Sequence, residues 1–228
     1  MTTQAAQISP ATSLRPLRNP VAGWLLAATS LLSVFAMLHH PSVAMHATSA
    51  ALVEMAEKSS LARAVHGALI ALLAVQTFAL LELSSQLGFD RRAVRVAAFT
   101  YLVGFLAMVG AALISGFILP AIGVRFAGTE GASVEALRYV ITAAAISNRV
   151  LASFAVLAMS VAIAAWSYEL RSRMRAVAIL GVIVAVGPAM ALLVGALHLE
   201  VAGMTLVAGV QGLWGGVLGI GLVRGTGE

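Results

Sequence analysis

Three of the chain's five histidines fall within nine residues, LHHPSVAMH at 38–46, directly behind a long apolar run. Neutral imidazole is a preferred ligand for zinc, copper and haem iron, and it is the side chain whose charge changes nearest neutral pH. His39, His40 and His46, together with His66 and His198, are therefore the residues on which chemistry would rest. Glu54, two helical turns beyond His46, and Glu200, two residues after His198, are carboxylates that could complete a metal set or fix an imidazole tautomer. Met37, Met45 and Met55 add thioethers, which favour copper within that set. There is no cysteine, so thiolate ligands and disulfides are excluded.

The predicted metal ligands are thus His39, His40, His46, His66, His198, Glu54 and Glu200, for a copper, zinc or iron ion. A b-type haem is the other version, with His66 and His198 as the span-associated candidates for the iron. The pattern is positional, since the chain has no HExxH, no CxxC and no His-x-His. Imidazoles at a membrane boundary also bond simply to water, loop carbonyls or headgroups, and that plainer reading applies best to the adjacent His39 and His40. His66 is different, because an ionisable group inside a span needs a partner or a wet cavity.

The elements that position these residues follow from composition. Hydrophobic residues make up 61% of the 228 and charged ones only 10%, with a mean hydropathy of +0.98, far from the roughly 25% charged residues of soluble domains. A bilayer is the solvent that suits such a chain. Runs of about 20 apolar residues can cross the hydrocarbon, and six are present: 21–38, 61–83, 93–119, 149–166, 176–197 and 201–223. Without the alternation of a barrel strand, each predicts a helix. The expected fold is an all-α polytopic membrane protein, with a disordered polar tail over 1–20, the six-helix domain over 21–223 and a short tail over 224–228.

Arginines orient it. Arg15, Arg18, Arg91, Arg92, Arg95, Arg171, Arg173, Arg175 and Arg224 all fall on one side of this arrangement, so the positive-inside bias predicts cytoplasmic termini in a bacterial-type inner membrane. All five histidines fall on the opposite, extracytoplasmic side. The net charge of +5 is then a topology signal, and no basic patch with interleaved aromatics points to nucleic acid.

Two outer loops are long. Each follows a proline, Pro41 or Pro120, expected to stop a helix, and each contains a stretch suited to a short amphipathic helix: 43–58, with a Glu54/Lys58 pair, and 134–147, introduced by Ser133 as N-cap. Helix, proline, surface helix and helix suggest an internal repeat of helix pairs, with ALHLEVAGM near the fifth helix beside MLHHPSVAM near the first. Gln76, Asn148, Arg149 and Gln211 are polar residues in or opening the spans, suited to bonds between helices. In the sixth helix, Gly212, Gly215, Gly216 and Gly219 make two GxxxG spacings, a face for a second copy or a membrane-complex partner.

No signature for acyl or phosphoryl transfer is present, and no catalytic residue is assigned. Three expectations remain: metal or haem binding at the outer face for metal handling, redox or uptake; a small permease or channel subunit gated by histidine protonation; and a structural subunit of a membrane complex.

Overall fold

The computed structural model describes residues 17–41 and 48–225. His46, Met45 and most of the N-terminal tail lie outside the described residues. Among those described there are helices and no strands, and six helices are long and apolar enough to span a bilayer. The chain is an all-α, multi-pass membrane protein.

The first span, α1 (Pro20–Leu38), starts on local chemistry: Asn19 Oδ1 accepts from Ala22 N–H at 3.0 Å, and Pro20 stands at the first helical position, where its missing N–H costs nothing. The expected tail is packed from Leu17 onward. Leu17 is buried, and Asn19 N–H donates to Leu222 O at 3.0 Å. Pro41 follows α1, as expected. A short helix, α2 (Ser49–Glu57), then lies with Ala51, Leu52 and Met55 buried, and Lys58 bonds Glu54 at 2.6 Å. The second span, α3 (Ser59–Leu87), begins immediately after it.

Pro120 does not stop the third span. Helix α4 (Arg92–Leu113) passes through a π turn (Ile114–Ile118) into α5 (Leu119–Phe126). A proline lacks an N–H to donate and its ring presses on the carbonyl four residues back, here that of Gly116. Widening the helix at that turn removes both conflicts. The separate surface helix expected over 134–147 is also absent. Instead α6 (Ala132–Leu170) runs unbroken for 39 residues from Gly131, whose φ is +67°, and Ser133 is not its cap. At 1.5 Å per residue it is about 58 Å long, roughly twice the hydrocarbon thickness. The two outer loops therefore differ in build, and the helix-pair equivalence expected from the sequence is not reproduced at Pro120.

The fifth span, α7 (Arg175–Leu193), runs through Pro188 and ends four residues earlier than expected, because Gly195 adopts φ +74° and turns the chain. The sixth, α8 (Val201–Arg224), follows. Packing around the ring of spans proceeds α8, α1, α3, α4, α6, α7 and back to α8.

Two cores hold it. The larger lies toward the arginine end, around Trp166, Trp214, Leu26, Leu80, Leu83, Leu218 and Leu222, all essentially fully buried. There Trp166 Nε1 donates to Ser84 Oγ at 2.9 Å, and Arg91 bridges to Glu169 at 2.9 Å. The smaller core joins α2, α5 and the start of α6 through Leu52, Leu119 and Ile141. It forms a cap over the histidine end.

The glycine face of α8 is used within the chain. A Cβ at Gly219 would sit 2.5 Å from Gly23 O and 2.9 Å from Ala27 N, and one at Gly212 would sit 3.1 Å from the Val34 side chain, whereas Gly216 faces open space. Backbone cannot yield as a flexible side chain does. Gly219→Val is therefore expected to cost about 1–3 kcal/mol through overpacking and to lower the thermal midpoint in detergent, while Gly216→Val leaves it unchanged; equal midpoints for the two variants would contradict this account of the α1/α8 crossing.

Candidate functional site

The π turn determines what stands at the histidine end. It places Ser115 and Gly116 of the third span against His66 of α3, and a Cβ on Gly116 would overlap the His66 side chain. Glycine is required here to admit the ring. His66 is 5% exposed, and its Nδ1 lies 2.8 Å from Ala62 O, one turn back on the same helix. A carbonyl can only accept, so Nδ1 carries the proton and the neutral ring presents a lone pair at Nε2.

Two groups approach that lone pair. His40 Nε2 lies 3.1 Å from it, with the rings edge-on and their centroids 4.6 Å apart, and Ser115 Oγ lies 2.9 Å away. The Ser115 hydroxyl also reaches Ala111 O at 3.0 Å, yet it has one proton to give. If it donates to Ala111, its oxygen faces His66 Nε2 with no proton between them unless Nε2 is itself protonated. If it donates to His66, it competes with a His40 Nε2–H for the single lone pair on His66 Nε2 and leaves Ala111 O without it. The three atoms thus lie one hydrogen short of full pairing, an arrangement that a shared proton or a cation would complete.

His40 stands just beyond the end of α1. Burial, and next the neighbouring His66 ring, hold its imidazole well below its usual 6.5, at about 4, against a lesser pull from the Pro41 backbone. Its Nδ1 has no partner among the described residues.

Two cavities meet at this pair. One, of about 690 Å³, lies inside the bundle and is walled by α1, α3, α4, α6 and α8. The other, of about 80 Å³, lies beneath α2 beside Met55, Lys58 and Pro120. His40, His66, Ser115 and Val201 line both. They form a partition between the two chambers.

The large cavity is layered. Arg149 and Glu200, both exposed, and Asn148 line it as well as the partition. Below the partition come apolar walls of Leu69, Leu73, Met37, Met108 and Val207. Farther down, Ser30 of α1 and Gln76 of α3 are each ten residues from His40 and His66, and Gln211 is ten residues into α8, a depth of about 15 Å at helical rise. Ser30 and Gln76 converge on α8, where a Cβ at Gly215 would lie 2.5 Å from Ser30 Oγ and 3.4 Å from Gln76 Nε2. Helix α7 lines none of the cavity. Its buried residues, Val177 to Ala185, all belong to the arginine half, and beyond them Val186, Met190, Leu193 and Val194 are exposed.

Among the described residues the wider ligand set does not assemble. His39 is exposed, with Nδ1 2.9 Å from Phe35 O and its ring against Phe35. His198 is exposed and lines neither cavity, so it does not face His66 across an iron site. Glu54 is paired with Lys58, and Glu200 lines the large cavity without an ion pair among the described residues. Among those residues no three of the His, Asp and Glu side chains are grouped to hold a metal ion. Arg149 forms no ion pair among the described residues; of the outer carboxylates, Glu54 bonds Lys58 and Glu135 bonds Arg138. The residues that sequence reasoning missed are Ser115 and Gly116, for which the sole signal was Pro120, and Ser30, which carried none.

Comparison of the chain with known protein families, characterised proteins and solved structures returned no match.

Between pH 6.5 and about 4 the unfolded chain takes up a proton at His40 that the folded chain refuses, so the folded state loses stability as pH falls through that window and keeps it above 6.5. Thermal midpoints measured from pH 7.5 to 4 should therefore decline more steeply for the wild type than for His40→Gln. Parallel curves would remove the buried, neutral His40 from the account.

Proposed function

We propose that the chain is a small permease-type membrane protein that holds an uncharged amphipathic solute in the 690 Å³ cavity and couples its passage to protonation at the His40–His66–Ser115 partition. The observation that carries this reading is the partition itself: two imidazoles and a hydroxyl, one hydrogen short, shared by two chambers. A ring that gains a proton must re-pair with its neighbours, and re-pairing moves the wall between the chambers. Supporting it, the arginine half is plugged by tryptophan and leucine side chains while the histidine half is hollow beneath its cap, so the cavity is closed off toward the arginine end. The cavity volume also falls within the few hundred to about 1,000 Å³ usual for small-molecule sites. On the positive-inside bias, the arginine end and both termini face the cytoplasm of a bacterial-type inner membrane, and the cavity faces outward.

The solute is read as uncharged because the interior offers no fixed countercharge. Apart from the imidazoles, the ionisable side chains lining the cavity are Tyr101, Arg149 and Glu200, and the last two are exposed. An ion taken below them would lose several kcal/mol of hydration without a partner.

Metal binding is the second reading, and one distance favours it. Two nitrogens bound tetrahedrally at 2.0–2.1 Å lie about 3.3 Å apart, close to the 3.1 Å between His40 and His66 Nε2. With Ser115 and water such a pair could hold zinc or copper at the partition. Two nitrogens on opposite sides of a haem iron lie about 4 Å apart, which the pair does not match.

Equilibrium binding to the purified full chain in nanodiscs separates the readings, using radiolabelled decanol, decanoate and decyltrimethylammonium, which share one tail. Decanol is expected to bind saturably and at least about tenfold more tightly than either ion, the ions being penalised by some kcal/mol of desolvation. Its exchange rate should change between pH 7.5 and 4.5 in the wild type but not in His40→Gln. Saturable binding of none of the three, or of the ions equally well, would overturn the proposal. One zinc or copper retained per chain and lost in His66→Ala would replace it with the metal reading.

A further inference from the structure

Hydroxyls inside membrane helices ordinarily bond back to the carbonyl four residues earlier. Thr29, Thr77, Ser84, Thr100 and Thr205 do so here, at 2.7–2.9 Å. Ser30 does not. Its Oγ is buried without a partner among the described residues, the residue is 3% exposed, and it lines the floor of the large cavity. Gln211 Nε2, on the facing helix, is likewise buried without a partner among them.

An unpaired hydroxyl and amide within the hydrocarbon depth each cost about 1–3 kcal/mol. Two of them line the floor of one cavity, with the Gln76 amide beside Ser30, and leave two donors there unpaired among the described residues. An acyl chain filling the cavity would leave that cost in place. A ligand oxygen would relieve it.

The wall tells how such a ligand arrives. Helices α6 and α8 are joined chiefly through α7, and the fully buried residues of α7 all lie on the arginine half, so at cavity level little packs between α6 and α8. A solute entering there comes from the lipid phase, not from water.

We propose that the floor formed by Ser30, Gln76 and Gln211 binds the carbonyl oxygens of an uncharged, lipid-soluble head group of the quinone type, which enters sideways between α6 and α8 with its tail left along the apolar shaft. Ser30 Oγ–H and the Gln211 amide donate to one carbonyl. The inference rests on the small-solute reading above and names the chemistry of that solute.

Decylubiquinone and decylbenzene, the second having tail and ring without carbonyls, are the probes, with the full chain in nanodiscs. Decylubiquinone is expected to bind at least about tenfold more tightly than decylbenzene, the worth of one or two hydrogen bonds to buried donors. Ser30→Ala and Gln211→Leu should each weaken decylubiquinone by about tenfold without altering decylbenzene, while Thr100→Ala, at a self-bonded hydroxyl that lines neither cavity, leaves both unchanged. Thermal midpoints within error of wild type verify that the variants are folded, and the comparison of the two probes on wild type needs no variant. Equal affinity for the two probes, with decanol still bound, overturns the carbonyl subsite alone. No saturable binding of decanol, decylbenzene or decylubiquinone overturns the small-solute reading with it.

Discussion

One steric exchange governs the histidine end: His66 occupies the volume that a side chain at Gly116 would fill. Pro120 forces the third span to widen one turn earlier, and the widened turn swings Ser115 toward the ring that Gly116 admits. Without the wide turn, the Gly116 carbonyl would press against the proline ring. Without the glycine, His66 would be pushed away from both Ser115 and His40. Geometry of the backbone, proline chemistry and the absence of a Cβ therefore act together on a single imidazole. The bond from His66 to the Ala62 carbonyl then fixes which nitrogen faces the partition.

The two halves of the bundle solve different packing problems. Toward the arginine end, two tryptophans stack with centroids 6.4 Å apart and leucines fill the remaining space, so the helices are held together by dispersion and by close glycine crossings. Toward the histidine end, the same helices present serine, alanine, glutamine and methionine to the axis, residues too small or too polar to close it. The long N-terminal part of α6, with α2 and α5, forms a cap where a bundle of equal helices would simply end. The hollow is bounded by the leucine and tryptophan core at one end and the cap at the other.

The spans were legible because their signal is additive: twenty apolar residues in a row leave little choice, and arginines at alternate ends sort the loops. Helix breaks were less legible, since they depend on one residue against its surroundings. Pro41 follows a helix that ends at Leu38, whereas Pro120 lies within a continuous span whose widened turn packs against α3. The site was half legible. His40 and His66 are legible as imidazoles near one face, but His39 and His198, equal in sequence terms, are exposed and line neither cavity. Ser30 was silent because an intramembrane serine normally satisfies itself, and only the unbonded hydroxyl and the cavity distinguish it from Thr29 beside it.

On the proposed reading, the partition answers a charge problem that the cavity cannot solve alone. A proton shared among His40, His66 and Ser115 adds one positive charge within reach of Glu200 and Arg149, which line the cavity with them, and of Lys58 and Glu54 on the cap side. Lys58 is already tied to Glu54, and Arg149 opposes a second cation, leaving Glu200 as the carboxylate suited to balance it. A divalent ion would bring twice the charge to two neutral imidazoles, with no carboxylate grouped with them among the described residues, and desolvation scales steeply with charge. A single proton is the cheaper occupant. It also leaves the interior below free of charge, which is the condition under which Ser30 and Gln211 can discriminate among neutral molecules by hydrogen bonding.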